Sequence, residues 1–334
     1  MKQFVRGLCT VLAACLLAGC APAHVEYVTA IPKVDAPWDV RQNPEGGQPT
    51  ARPASTAQDL TNVYGSALLL GWPCVLYSIY LDTPEGDAWT EETLAQTRRN
   101  LTVAVDWITR QAEAYRAAPR LYYDQGEGDL TAFVSCPVEL TEDATSGNDF
   151  YDYVDTLTAA VDTDAIARAY GTSSIGYLIF VPAAGCSYSI LHYLEDGEYY
   201  LNEFSCLYLY DVYEDPGTFE GPAVYAHEIL HLFGASDLYE DSSDVYVTRE
   251  LTGYVARQWP DAIMYYTYND DNSISYDHIE KTICPLTAYR LGLCDTFPGI
   301  ERFPGAAADP PGTYSAEPGG SGRDLGFLLD GVAA

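Results

Sequence analysis

One short segment carries the side chains with the clearest chemical potential in this chain. His227 and His231 are four residues apart, and Glu228 follows the first of them directly. On a helix this spacing places both imidazoles on one face, where they can bind a single Zn²⁺ ion at about 2.0–2.1 Å. Gly234 tolerates the positive φ of a helix end, so the chain can turn back and bring Asp237 to the same ion as a third ligand.

Two imidazoles and one carboxylate leave the fourth coordination position of zinc open, which is typical of catalytic rather than structural zinc. At such a site zinc lowers the pKa of a water molecule and polarises a carbonyl group. Glu228 is the neighbouring carboxylate that can accept the proton of that water and deliver it to the leaving group. The segment therefore predicts a zinc-dependent hydrolase.

The pattern H-E-x-x-H-x-x-G-x-x-D resembles the metzincin metalloproteases, in the snapalysin-type variant that has Asp as third ligand. A second feature lies downstream, where Met264 is the only methionine besides the initiator. The segment around it resembles the Met-turn that metzincins place beneath the metal. Tyr266 matches the tyrosine that some metzincins aim at the metal or at the reaction oxyanion. The resemblance is confined to these two features.

This resemblance implies an α+β zincin fold, with a mixed twisted sheet, backing helices, an active-site helix, the Met-turn and a C-terminal helix. It also implies a zinc-dependent endopeptidase with one catalytic Zn²⁺ ion and a protein or peptide substrate. Metzincins bind extended peptide at an exposed strand edge, and the strand Phe204 to Tyr210 precedes the active-site helix here. The alternative for this strand is packing inside the sheet.

Other residues compete with Asp237 as ligands. Thermolysin-like enzymes take a Glu further along the chain, and Glu250 lies near that position, although no Asn precedes it as that pattern requires. Gly234 and Met264 favour Asp237. Ca²⁺ is a further candidate at 269–272 or 237–244, where oxygen ligands cluster without the spacing of an EF-hand. The remaining candidate histidines are His192 and His278.

Hydrophobic periodicity indicates the elements that must position these residues. A strand is expected over Cys74 to Leu81, followed by a helix that Thr90 caps. The later expectations are a helix over Tyr151 to Tyr170, a strand over Ile175 to Val181, a hairpin turning at Asp196-Gly197, the active-site helix from Pro222, and a last helix over Pro285 to Leu293.

The first residues indicate export. Lys2 and Arg6 precede an apolar stretch that is too short to span a bilayer. The sequence Leu-Ala-Gly-Cys ending at Cys20 resembles the lipobox of bacterial lipoproteins, which implies a lipidated protein in the cell envelope, outside the cytoplasmic membrane. The predicted organisation is a signal peptide (1–19), a lipidated tether (20–58), a catalytic domain (59–304) and a Pro/Gly-rich tail (305–334).

The net charge limits the possible binding partners, and the cysteine count limits the possible disulfides. The chain has 17 Lys and Arg against 48 Asp and Glu, a formal charge of -31, so nucleic acid is excluded as a partner and the lipid is the only expected contact with a membrane. A monomer is expected. Six cysteines beyond Cys20 permit up to three disulfides outside the cytoplasm. Local spacing suggests the pairs Cys186–Cys206, Cys284–Cys294 and Cys74–Cys136.

The sequence is also compatible with a function of another class. An acidic, Tyr-rich exterior on a tether also suits a surface-binding lipoprotein whose metal site is inactive or structural.

Overall fold

The structure is a computed structural model, and it describes residues 66–308 except 127, 192, 196–197, 201–202, 241, 243 and 245. The expected signal peptide, the lipobox cysteine Cys20, the tether and His192 lie outside the described residues. Within the described part of the chain, no helix combines the length and the apolar character that crossing a membrane requires.

The secondary structure alternates between strands and helices along the first half of the domain and becomes mainly helical after the metal-ligand segment. In chain order the elements are β1 (Cys74–Asp82), α1 (Glu91–Ala114), β2 (Leu121–Tyr122), β3 (Thr131–Ser135), α2 (Asn148–Ala159), α3 (Thr163–Tyr170), β4 (Ile175–Gly185), β5 (Tyr188–Ile190), β6 (Tyr193–Glu195), β7 (Glu198–Tyr200), β8 (Phe204–Asp211), α4 (Pro222–His231), α5 (Arg249–Gln258), α6 (Pro285–Arg290) and a 3₁₀ turn (Pro304–Ala307).

A six-stranded, mostly parallel sheet forms the centre, in the order β2–β1–β4–β8–β5, with β3 also pairing with β1. Only β5 is antiparallel to its neighbour, β8. The hairpin β6–β7 forms a separate two-stranded sheet. The fold is therefore a mixture of helices with a mixed sheet, which agrees with the α+β prediction at that level.

Both faces of the sheet are covered, and this explains why its central strands are almost continuously apolar. Every residue of β1 is buried. Leu76 and Tyr80 pack with α1 and α4 on one face. Tyr77 and Ile79 point to the other face and pack with α2 and α3. The sheet is thus the middle of three layers, and α4 with its metal-ligand motif belongs to an outer layer.

Local sequence signals explain most helix ends. Thr90 caps α1 through a capping box with Thr93, as its position before the apolar periodicity predicted. The single helix expected over Tyr151 to Tyr170 is instead two helices. Asp162 interrupts it, because its carboxylate accepts the backbone N–H of Ala165 at 2.9 Å and starts α3 as an N-cap.

The edge strand lies elsewhere than expected. The strand predicted over Phe204 to Tyr210 is β8, and it sits inside the sheet between β4 and β5. The alternative weighed for it, packing within the sheet, is what the structure shows. The edge of the sheet on this side is the short strand β5, which comes from the first half of the expected hairpin.

The domain continues slightly beyond its predicted end at residue 304. The 3₁₀ turn Pro304–Ala307 follows, and within it Ala306 is buried, because it packs into the same core cluster as α4. The expected tail therefore begins no earlier than residue 309, outside the described residues.

The six cysteines from Cys74 onward are free thiols in the structure, so none of the three expected pairs is formed. One pair is excluded by topology. Cys74 begins β1, whereas Cys136 follows the end of β3, whose last residue lies beside Asp82 in the parallel register. Eight residues of strand separate the two positions, about 26 Å at roughly 3.3 Å per residue. Disulfides need Cα atoms within about 7 Å.

Candidate metal centre

Helix α4 carries the ligand motif, and its sequence fixes where it begins and ends. Pro222 occupies the first turn, where its missing N–H costs nothing. The helix ends at His231, and Gly234 adopts a φ of 91°, a left-handed value that lets the chain reverse direction. The reversal brings Asp237 back over the end of α4, as the spacing of the motif predicted.

Three ligand atoms converge at this point. Nε2 of His227 lies 3.1 Å from Nε2 of His231. Oδ1 of Asp237 lies 3.1 Å from the first of these nitrogens and 3.3 Å from the second. We call these three atoms the ligand triangle.

The dimensions of the ligand triangle fit a zinc ion. Ligand atoms about 2.0–2.1 Å from a tetrahedral Zn²⁺ ion lie about 3.3 Å from one another. The observed separations are 3.1, 3.1 and 3.3 Å. Moreover, Oδ1 of Asp237 is buried, and it accepts no hydrogen bond when both imidazoles are neutral and carry their protons on Nδ1. Such an atom is costly unless a ligand satisfies it, so the donor set and the orphaned oxygen both suit a bound cation.

Two backbone carbonyls fix the tautomer of both imidazoles. Nδ1 of His227 lies 3.1 Å from the carbonyl oxygen of Ile263, and Nδ1 of His231 lies 2.8 Å from that of Ala235. A carbonyl only accepts, so each Nδ1 carries the proton and donates it. In the neutral rings both Nε2 atoms then present lone pairs to the ligand triangle, which is the form that binds metal.

The Met-containing turn lies directly against the ligands. Residues 262–266 form a tight turn in which the N–H of Tyr265 donates to the carbonyl of Ala262 at 2.9 Å. Met264 is fully buried in the core beside α4. Its carbonyl accepts the N–H of Leu238 at 2.8 Å. The turn therefore makes two contacts with the site. The carbonyl of Ile263 orients His227, and the carbonyl of Met264 binds the backbone of Leu238, just after Asp237.

Glu228 lies beside the ligand triangle and outside it. The compact His227, Glu228 and His231 cluster has the composition of a metal site by itself. However, Oε1 of Glu228 is 4.0 Å from Nε2 of His227, further than Asp237, and its Oε2 accepts the hydroxyl of Ser189 at 2.8 Å. Asp237 is therefore the carboxylate that faces both Nε2 atoms, and Glu228 lies beside the triangle with one oxygen bound to Ser189.

The charges of the triangle are strongly coupled. Burial opposes the charged form of His231, but the Asp237 carboxylate outweighs burial and raises the pKa of that imidazole to about 9. Burial acts against the Asp237 carboxylate as well, but the two imidazoles hold its pKa far below its usual range. Without a metal, a proton therefore occupies the triangle at neutral pH. Metal binding has to displace that proton, so metal affinity weakens as the pH falls.

Tyr266 is turned away from the triangle. It is 43% exposed, and its hydroxyl donates to Oδ1 of Asn272 at 2.8 Å. Its ring packs at a tilt against that of Tyr268 and lies under the ammonium group of Lys281. The predicted role at the oxyanion therefore has no support in its present position.

Tyr239 is a site residue that the sequence reasoning missed. Its pKa is held well above the usual range, first by burial and then by the carboxylate of Asp237, to which its hydroxyl is hydrogen bonded, with Glu228 contributing. Tyr239 lies two residues after the third ligand. That closeness was the available signal, but it does not stand out in a chain with 28 tyrosines.

The competing ligands lie elsewhere. Glu250 is exposed on α5 and forms an ion pair with Arg302. His278 is exposed and contacts Asp277 and Glu280. In the stretch considered for Ca²⁺, Asp271 accepts the N–H of Ser273. Among the described residues, no further group of His, Cys, Asp and Glu away from this site is close enough to hold a metal ion.

A buried acid near the start of α4 gives a prediction about stability. Glu220 is 4% exposed, and burial followed by the charge of Asp211 raises its pKa to about 8 from 4.5. The folded protein therefore binds a proton that the unfolded chain loses above about pH 4.5. The contribution of protonated Glu220 to the free energy of unfolding is therefore fully present below about pH 4.5, and it is lost as the pH rises to about 8.

We expect Glu220→Gln to remove this loss and to raise the free energy of unfolding at pH 8 by about 1–3 kcal/mol. At pH 4 the two proteins should differ little. Urea denaturation at both pH values measures the change. An equal effect at pH 4 and pH 8 would show that Glu220 is ionised in the folded protein.

No protein-family model matches this chain, and no curated protein or solved structure shows significant similarity to it.

Proposed function

We propose that this protein is a zinc-dependent endopeptidase with a metzincin-like site of the snapalysin type, displayed from the cell envelope by a lipid on Cys20. The ligand triangle is the observation that carries this proposal, because three metal-binding atoms meet at zinc spacing with both imidazoles in the required tautomer. The Met-containing turn against the ligands supports the family resemblance.

A bound Zn²⁺ ion would supply Lewis-acid activation of water and of the scissile carbonyl. The chain's own residues supply the proton transfers. Oε1 of Glu228, 4.0 Å from Nε2 of His227, lies one water molecule away from the triangle. It accepts a proton from the attacking water and then delivers that proton to the nitrogen of the leaving amine. One carboxylate therefore acts first as base and then as acid.

The sheet edge suits an extended substrate. Among the described strands, β5 pairs only with β8, which makes it an edge strand of the sheet as described. Ser189 of β5 contacts Glu228, which places this edge next to the general base. A peptide that adds to β5 as a further strand would bring its backbone to the site, and addition of this kind binds main chain with little regard to sequence.

The test is a cleavage assay on the full-length protein. We expect about one equivalent of zinc per chain and cleavage of internal bonds in a quenched-fluorescence peptide library. A chelator should abolish cleavage, and added Zn²⁺ should restore it. A protein that binds zinc and cleaves no peptide would instead be the tethered binding lipoprotein. Cleavage of another bond type alone would make it a different zinc hydrolase.

We propose the phenol of Tyr239 as the donor to the oxyanion, because the charges of Asp237 and Glu228 both raise its pKa, which puts its hydroxyl near the third ligand and the general base. We expect Tyr239→Phe to lower kcat by about 10²-fold, the usual size of losing one such donor. Tyr266→Phe should change kcat by less than about threefold, because its hydroxyl is bonded to Asn272. Steady-state kinetics of both variants decides between them, and a larger loss in Tyr266→Phe would reverse the assignment.

A further inference from the structure

Two serines lie beneath the general base on neighbouring strands. Ser189 of β5 and Ser205 of β8 are direct cross-strand partners. Their hydroxyl oxygens are 2.9 Å apart. Both hydroxyls are within hydrogen-bonding distance of Glu228 on α4, the proposed general base.

The two hydroxyls have different tasks. Ser205 donates to the backbone carbonyl of Glu228 at 3.0 Å. That carbonyl belongs to the last turn of α4, where carbonyls lack partners within the helix. Ser189 lies 2.8 Å from Oε2 of Glu228 and 3.1 Å from its backbone carbonyl. It has one proton, and the shorter, charged acceptor takes it, because hydrogen bonds to ionised groups are the stronger ones.

This contact fixes the carboxylate in one orientation. A glutamate has several rotatable bonds, and proton transfer requires that the base be held within hydrogen-bond reach of the water. With Oε2 bound to Ser189, the other oxygen, Oε1, is left facing Nε2 of His227. The strand that supplies the hydroxyl is also the edge strand of the described sheet, proposed above as the site where substrate adds.

We propose that Ser189 is a positioning residue for peptide hydrolysis, which holds Glu228 in its productive orientation through the bond to Oε2. This inference rests on the proposed function. Ser189 touches neither the metal ligands nor, in this role, the reacting atoms. It acts through Glu228, so its removal should affect turnover rather than binding.

The test compares three variants of the full-length zinc-loaded protein. We expect Ser189→Ala to lower kcat by about tenfold or more, as for the loss of one hydrogen bond to a charged group, with KM and zinc content unchanged. Ser189→Thr keeps the hydroxyl and should restore most of the lost kcat.

Ser187→Ala is the matched control. Ser187 is a buried serine just before β5, and its hydroxyl accepts the backbone N–H of Tyr208 at 3.1 Å. This variant should lose stability and keep its kcat. An equal fall in kcat for the alanine variants at 187 and 189, or an unchanged kcat in Ser189→Ala, would overturn the proposal.

A crystal structure of Ser189→Ala separates this proposal from the proposed function. We expect the Glu228 carboxylate to leave its observed orientation or to occupy several. If it stays in place, the positioning role is wrong whatever the activity. If the wild-type protein cleaves no peptide, the endopeptidase proposal fails, and the orientation of Glu228 in the variant still decides the role of Ser189.

Discussion

The Glu228→Gln protein should bind zinc as well as the wild type and turn over peptide about 10²–10⁴-fold more slowly, the range that general acid–base catalysis contributes. The reason is that the amide cannot take a proton from the attacking water. Gln keeps the shape of the side chain and an oxygen that accepts from Ser189, so the fold should be unchanged. Zinc content by atomic absorption and kcat on a quenched peptide measure the two effects.

An acid on the surface provides the control for this variant. Glu113 is exposed near the end of α1, on an element that carries no ligand. Glu113→Gln removes the same charge and should keep both zinc and kcat. Substantial hydrolysis by Glu228→Gln would rule out the role of Glu228 as base, whereas loss of its zinc would show that Glu228 is itself a ligand.

Removing the third ligand should have the largest effect on metal binding. Asp237→Ala leaves two imidazoles, and we expect the affinity for Zn²⁺ to fall by a factor on the order of 10³, with loss of peptidase activity. Competition with a fluorescent chelator measures the affinity. The matched variant is Glu250→Ala, which removes the rival carboxylate together with its ion pair to Arg302.

The pair of variants decides between the two carboxylates. We expect Glu250→Ala to bind zinc like the wild type. If Glu250→Ala loses the metal and Asp237→Ala keeps it, the assignment of the third ligand is wrong. The pH of the assay must be held constant, because the proton that occupies the triangle competes with zinc.

The ligand segment could be predicted from sequence because its geometry is local. Four residues make one helical turn, and a glycine that tolerates positive φ permits the reversal that follows. These local rules are sufficient to predict that three side chains converge, those of His227, His231 and Asp237. The same holds for the N-cap of α1 at Thr90 and for Pro222 in the first turn of α4.

Contacts between distant segments could not be predicted in this way. Which strand lies at the sheet edge depends on the pairing of β8 with β4, and the sequence of β8 alone does not show it. The contact between Ser189 and Glu228 joins residues 39 positions apart. Which partner the hydroxyl of Tyr266 takes also depends on the folded chain, because it bonds Asn272, which motif position alone does not show.

Main-chain atoms orient the two imidazoles, since the carbonyls of Ile263 and Ala235 accept from their Nδ1 atoms. No side-chain substitution at either position can delete a carbonyl group. Substitutions at these two buried positions therefore leave both imidazole tautomers in place. The site should tolerate them better than it tolerates loss of a side-chain contact such as that of Ser189. Saturation mutagenesis with zinc retention as the readout would test this. Most substitutions at positions 235 and 263 should keep zinc, whereas most substitutions of the ligands should lose it.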